Sequence, residues 1–368
     1  MTSETVQLTG DSAGTRRSLT CHRFGPPGAA PVVYLQAGLH ADEMPGVLVL
    51  LHLLPLLAAA RVTGEIRVVP CANPVGLSQW AFQRPLGRIE AESLHNFNRG
   101  WPELAALAGD RLEGRLGPDA DRNRDAIRAA FREAVAGLPA TSDAAEWRRA
   151  ILSWSCDADY VLDLHCDHFA VMHLYASPAR PADTSLLCRS VGAELALIQD
   201  VSGGNAFDEA HTVPWLRLRE RFGDRFPVPA GCFSATLEYR GQFDVSDDLA
   251  AADARNLMTF LAAIGAVADW PDRPAYPDAP HLPLGGAAEV FAPQGGVVTW
   301  AAGPGAKVAR GATIAHVTDQ ATGRRAPVEA PVDGLLFRTE LWRACLRGAS
   351  LCHVAGAEIV REGHLLSD

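Results

Sequence analysis

Val32-Val33-Tyr34-Leu35-Gln36-Ala37-Gly38-Leu39-His40-Ala41-Asp42-Glu43-Met44-Pro45 is the stretch on which the reading of this chain turns. Its first half is an apolar run of the kind that forms a buried strand. Gly38 permits a tight turn, Pro45 suits an early helix position, and residues 44–60 are apolar enough to pack on a sheet. A strand that turns a sharp corner into a helix is half of an α/β unit. At that corner stand His40 and Glu43. An imidazole nitrogen and a carboxylate oxygen three positions apart can point at one place in space, as two ligands of a borderline-soft divalent ion must. Taken alone, His-x-x-Glu is common, and a glutamate at a helix start also simply favours the helix dipole.

Outward from this corner the pattern repeats. Apolar strand-like runs at 32–37, 66–70, 160–164, 173–176 and 235–239 alternate with helix-like segments at 44–60, 120–137, 144–153, 184–192, 211–222 and 247–264. That alternation predicts an α/β fold, a sheet flanked by helices, over residues 1–270. Groups at the strand ends then converge on one rim of the sheet, where open α/β folds place their sites. Residues 271–286 are too rich in proline for a helix or a central strand and read as a linker. Beyond it, 287–368 carries short Val-, Ile- and Leu-rich runs between Gly-containing turns, which predicts a small all-β domain.

Composition sets bounds on function. The 368 residues are 48% hydrophobic and 21% charged, with a net charge of −10 and no basic stripe, which argues against nucleic acid or an anionic membrane surface as partner. The first residues lack the basic and apolar regions of a signal peptide, and no apolar run is long enough to span a bilayer, so a cytoplasmic protein with a small-molecule partner is expected. Eight cysteines without a Cys-x-x-Cys pair read as buried thiols. Lys307 is the sole lysine, so Schiff-base chemistry would have to use it.

The third candidate ligand is His165 in Asp163-Leu164-His165, at the end of an apolar strand, with Asp163 placed to orient it. Two histidines and one carboxylate leave a fourth zinc position open, as catalysis requires. Glu238, interrupting the run Ala235-Thr236-Leu237-Glu238-Tyr239, is the candidate general base; its bland alternative is a pair with Arg240. Asn98-Arg99 sets an amide beside a planar guanidinium fork suited to a substrate carboxylate. Either Arg84 or Arg88 can stabilise an oxyanion, and Arg88 is preferred. Cys166 beside His168 is a poor candidate for a thiolate-imidazolium pair, since no orienting partner is evident. Gly203-Gly204-Asn205 lacks the context of a dinucleotide loop and reads as a mobile loop at the site entrance.

In order along the chain, His40-x-x-Glu43, Asn73-Pro74, Asn98-Arg99, Asp163-x-His165 and Thr236-x-Glu238 resemble the zinc carboxypeptidase-like proteins. In detail they resemble the succinylglutamate desuccinylase and aspartoacylase branch, over nearly the whole chain. The resemblance implies a zinc-carboxypeptidase-like mixed sheet and one Zn2+ on His40, Glu43 and His165. It further implies substrate carboxylate on Asn98 and Arg99, Glu238 as base, and hydrolysis of the amide bond of a small N-acyl amino acid. The C-terminal unit resembles lipoyl and biotinyl half-barrels, yet the hairpin near Gly323-Arg324-Arg325 has no carrier lysine, so the unit reads as structural or homo-oligomer-forming, capping the site. Two rival readings stay open: a carboxypeptidase acting on short peptides, and a non-catalytic binder of small anions.

Overall fold

The computed structural model describes residues 1–363 and 365. Its largest sheet has, among these residues, nine strands in the order Thr2–Gln7, Ser18–Phe24, Glu65–Val69, Val32–Ala37, Tyr160–Asp167, Phe233–Gly241, His173–Ala176, Leu195–Ile198 and His281–Pro283. The four strands from Glu65–Val69 to Phe233–Gly241 run parallel. Antiparallel pairs occur at Ser18–Phe24 and at His173–Ala176, so the sheet is mixed.

Alternation along the central strands sorts the two faces. Val33, Leu35, Ala37, Leu162 and Leu164 join a core covered by the helices Met44–Ala59, Pro181–Val191 and Asp247–Ala263. Val32, Tyr34 and Val161 point the other way, toward Ala120–Ala136, Asp143–Ser155 and Glu209–Phe222. Those six helices are the ones the sequence predicts, with ends shifted by no more than three residues. The largest shift is at Pro181, which takes the first helical turn where a missing N–H costs nothing.

Four strands of this sheet escape the sequence pattern. Thr2–Gln7 is polar and almost wholly exposed at the sheet edge, and its partner Ser18–Phe24 carries little apolar alternation. Leu195–Ile198 has only four residues. His281–Pro283 lies inside the segment read as a linker. The 271–286 stretch is therefore not a free tether: it adds an edge strand parallel to Leu195–Ile198, where proline is tolerated because one side needs no partner.

Residues 287–355 form two small antiparallel sheets around their own core of Val298, Ile314, Val317, Leu336 and Val354. One of these sheets takes in a strand from the other unit: Phe169–Ala170, directly after the His165 strand, pairs with Gly334–Thr339. A further apolar cluster, with Val171, Leu195, Leu197, Leu284, Ala287 and Phe337, fills the junction. Among the described residues no helix is long and apolar enough to cross a membrane.

A close approach of helix to strand lies under the opening motif. A Cβ built on Gly46 would stand 2.7 Å from the Leu164 side chain and 3.0 Å from its carbonyl oxygen, so the first helix rests directly on the His165 strand. Gly46→Val should cost about 1–3 kcal/mol by overpacking. A lowered urea midpoint at unchanged slope would show this; an unchanged midpoint would contradict the packing.

Candidate metal centre

His40 and Glu43 occupy the turn after Val32–Ala37, and His165 the end of the neighbouring parallel strand, so the sheet register brings all three to one rim. Their ligand atoms lie within 4.8 Å of one another and all three side chains are buried. Glu43 sits between the rings: one oxygen is 2.9 Å from His40 Nδ1, the other 2.8 Å from His165 Nδ1. The far nitrogens are held in turn, His40 Nε2 at 2.9 Å from Asn96 Oδ1 and His165 Nε2 at 2.8 Å from Asp163 Oδ2.

That pattern tests whether a cation fits. If Nε2 carries the proton on each ring, donating to the Asn96 and Asp163 acceptors, both Nδ1 lone pairs face a carboxylate. Three acceptors converging at hydrogen-bond distance repel unless a positive charge lies among them. His40, Glu43 and His165 thus form a group that can hold a metal ion, with an outer partner fixing each ring as metal-binding histidines usually have. The outer partners continue inward: Tyr34 Oη donates to Gln36 at 2.8 Å and Gln36 Nε2 to Asp163 at 3.0 Å, a row on one face of the sheet.

Charges here follow from burial and neighbours. Burial opposes a positive His165, but Asp163 and Glu43 outweigh it and hold the imidazole well above its usual range. Burial, then the Arg88 guanidinium, lowers His40. On the next strand, Glu238 is in register with both His165 and His173. Burial, then the charge of Asp167, pushes the Glu238 carboxyl up to about 8, and a cation beside it would oppose this shift. Its Oε2 has no hydrogen-bond partner among the described residues. Directly after Glu238 the register slips by a bulge in which Arg240 takes a positive φ of 59°. Bulges of this sort re-aim side chains near sites, and this one turns Arg240 to Asp253 of the helix Asp247–Ala263 rather than to Glu238.

The remaining residues singled out in the sequence separate cleanly. Arg88, partly exposed, brings Nη1 to 3.4 Å from His40 Nδ1 and 3.7 Å from Glu43, while Arg84 stacks on Trp342, 4.3 Å from its ring centre. Gly87 makes the Arg88 approach feasible, since a Cβ there would fall 2.2 Å from the Asp42 nitrogen. Asn98 and Arg99 line the same cavity of about 100 Å³. Asn98 Oδ1 accepts from the Phe207 amide at 2.8 Å, which leaves its NH₂ as a donor. Gly203-Gly204-Asn205, expected as a mobile loop, is tied to this segment: Gly100 and Trp101 amides donate to the Gly204 and Asn205 carbonyls at 2.8 and 3.1 Å. Positive φ at both glycines permits the approach. Cys166 is buried, its thiol driven far above the usual range by burial and then Glu43, and His168 bonds Glu340 at 2.6 Å, so the two do not pair.

Sequence reasoning missed the far wall. Asp208, Tyr175 and Thr236 line the cavity from the α/β unit, and Glu289, Phe337, Arg338, His353 and Arg361 from the C-terminal one. Arg338 donates to Asp167 at 2.6 Å and to Glu340 at 3.0 Å, clamping the second unit to the His165 strand. Thr236 appears in the sequence only as part of Thr236-x-Glu238, and no motif marks the residues of the C-terminal unit, which reach the site only through the packing of one unit on the other.

Solved structures agree with this architecture. A succinylglutamate desuccinylase/aspartoacylase family protein of Shewanella amazonensis shares 25% identity and a TM-score of 0.83, over 96% of this chain and 98% of its own. One from Shewanella frigidimarina has the same fold at 24% identity and TM-score 0.83, covering 96% of each chain. The product-bound ectoine utilization protein EutE (DoeB) of Ruegeria pomeroyi has the fold at 18% identity and TM-score 0.63, over 95% of this chain and 94% of its own. No curated protein matches the sequence. The family model described as the succinylglutamate desuccinylase/aspartoacylase catalytic domain matches residues 29–264. The chain belongs to the succinylglutamate desuccinylase/aspartoacylase family.

Proposed function

We propose that this protein is a zinc-dependent hydrolase that cleaves the amide bond of a small N-acyl amino acid. The observation that carries the reading is the juxtaposition, on one rim of the sheet, of a His-Glu-His group able to hold a metal and, one strand away, the half-buried carboxyl of Glu238, whose Oε2 has no hydrogen-bond partner among the described residues. When bound, zinc would supply Lewis acidity at the scissile carbonyl and acidify a water. Glu238 takes the proton of the attacking water and hands it to the departing amine. Arg88 contributes positive charge where the carbonyl oxygen becomes negative. Asn98 and Arg99 hold the substrate carboxylate, the first through its free NH₂ and the second through its planar fork. A free amino acid and a carboxylic acid leave.

The enclosing wall supports a small substrate over a peptide. Residues of the 287–368 unit, among them Phe337, His353 and Arg361, stand across the cavity from the metal group, where an extended chain would need an open cleft. On this reading 1–270 is the catalytic unit and 287–368 its cap. A non-catalytic anion binder would have no use for both a complete ligand set and a base.

Purified protein loaded with zinc should release acetate or succinate from at least one member of an N-acyl amino acid panel; inactivity toward all of them, with peptides cleaved instead, would overturn the assignment. Glu238→Gln should lower kcat by about 10²–10⁴-fold with roughly one zinc per chain retained at the centre, and retained turnover would remove Glu238 from the base role. His165→Ala should deplete that centre of metal. Asp163→Ala, which frees the outer nitrogen of His165, should weaken metal affinity about 10–100-fold by competition with a chelator. Arg99→Ala should reduce kcat/KM by about 10–150-fold, the loss of one charge-assisted contact of about 1.5–3 kcal/mol.

A further inference from the structure

A second set of metal-ligating side chains lies at the sheet edge formed by His281–Pro283. Cys188 projects from the helix Pro181–Val191, and Asp278 and His281 come from the proline-rich segment that passes beside it. A sulfur, a carboxylate oxygen and an imidazole nitrogen of these three lie within 4.8 Å of one another. His281 Nε2 is 3.8 Å from Asp278 Oδ1. Ser185, one turn before Cys188 on the same helix face, brings its hydroxyl to 3.5 Å from His281 Nε2. The Ala279 amide is directed at the Cys188 sulfur.

We propose that Cys188, Asp278 and His281 bind a second zinc ion, which clips the proline-rich segment to the helix Pro181–Val191. The donor set is the argument for the ion's identity: thiolate and imidazole select zinc over magnesium or calcium, whose ligands are oxygens. Bonds of about 2.0–2.3 Å place tetrahedral ligands closer together than the side chains stand, so they must draw inward by roughly an ångström. The two half-exposed ones can do so: Asp278 is 47% and His281 26% exposed, while the buried Cys188 stays as the fixed point. A carboxylate beside a thiol disfavours the thiolate, and a cation between them reverses that repulsion. On binding, the Cys188 proton leaves to solvent as the zinc–sulfur bond forms. Water or the Ser185 hydroxyl completes the shell. The clip bears on the catalytic cavity, because Leu284 and Ala287, a few residues past His281, line it.

Zinc content after dialysis against a zinc buffer separates this site from the first. Wild type should hold about two ions per chain, His165→Ala and Cys188→Ser about one each, and the double variant none. Cobalt substitution gives an independent signature: only a thiolate-ligated site shows a near-ultraviolet sulfur-to-cobalt charge-transfer band, which His40, Glu43 and His165 lack the sulfur to produce. The band should persist in His165→Ala and vanish in Cys188→Ser. His281→Ala and Asp278→Asn, at partly exposed positions that the core does not need, should each weaken the second ion at least tenfold if replacement of Cys188 disturbs folding. One ion in wild type that Cys188→Ser leaves in place, or a cobalt spectrum without the band, would overturn the proposal. Neither result touches amide hydrolysis, and an inactive enzyme that keeps the band would leave the clip standing.

Discussion

Two imidazole nitrogens and a carboxylate brought together inside a protein need a shared positive charge, a proton or a metal ion, and the upper rim of this sheet is built around that tension. The Glu43 carboxylate stands within hydrogen-bond distance of two imidazole nitrogens whose outer nitrogens are already engaged by Asn96 and Asp163. The register of the parallel strands fixes the tension in place, because Gln36 lies opposite Asp163 and His165 opposite Glu238. Burial strengthens it, since a low dielectric magnifies every unbalanced charge. The helix contacts, the bulge after Glu238 and the Gly87 turn can all be understood as supports that keep these groups from relaxing apart.

The second unit completes a half-built cavity. Arg338 reaches between Asp167 and Glu340, and His168 bonds the same glutamate, so charged groups of both units neutralise each other at the junction. The apolar cluster around Leu197, Leu284 and Phe337 excludes water behind them. The cavity is therefore lined by side chains from both units, whereas the His40, Glu43 and His165 group comes from the first alone.

Most of the α/β unit was legible in the sequence because its central strands are buried on both faces and its helices carry strong starts and stops. The Val32–Ala37 run, Gly38 and Pro45 give an unambiguous strand, corner and helix. Thr2–Gln7 and His281–Pro283 were illegible for the opposite reason: an edge strand needs apolar residues on neither side, and proline there is harmless. In the site, residues next to a strand end were readable from their types alone. His353, Arg361 and Phe337 were not, because their place depends on how two units dock, which no local spacing encodes. Nor was the tethering of Gly203-Gly204-Asn205, where the glycines signal close backbone approach as readily as freedom.

The two-residue strand Phe169–Ala170 has a consequence for how such proteins can be rearranged. It belongs by chain to the unit that carries His165 and by hydrogen bonding to the sheet of the other, pairing with Gly334–Thr339 only a few residues after His165. A graft that exchanged C-terminal units between relatives at the proline-rich segment would leave this strand facing a foreign edge. Recombination that respects the architecture must move residues 168–170 with the C-terminal unit, so the structural boundary between the two units does not coincide with the boundary visible along the chain.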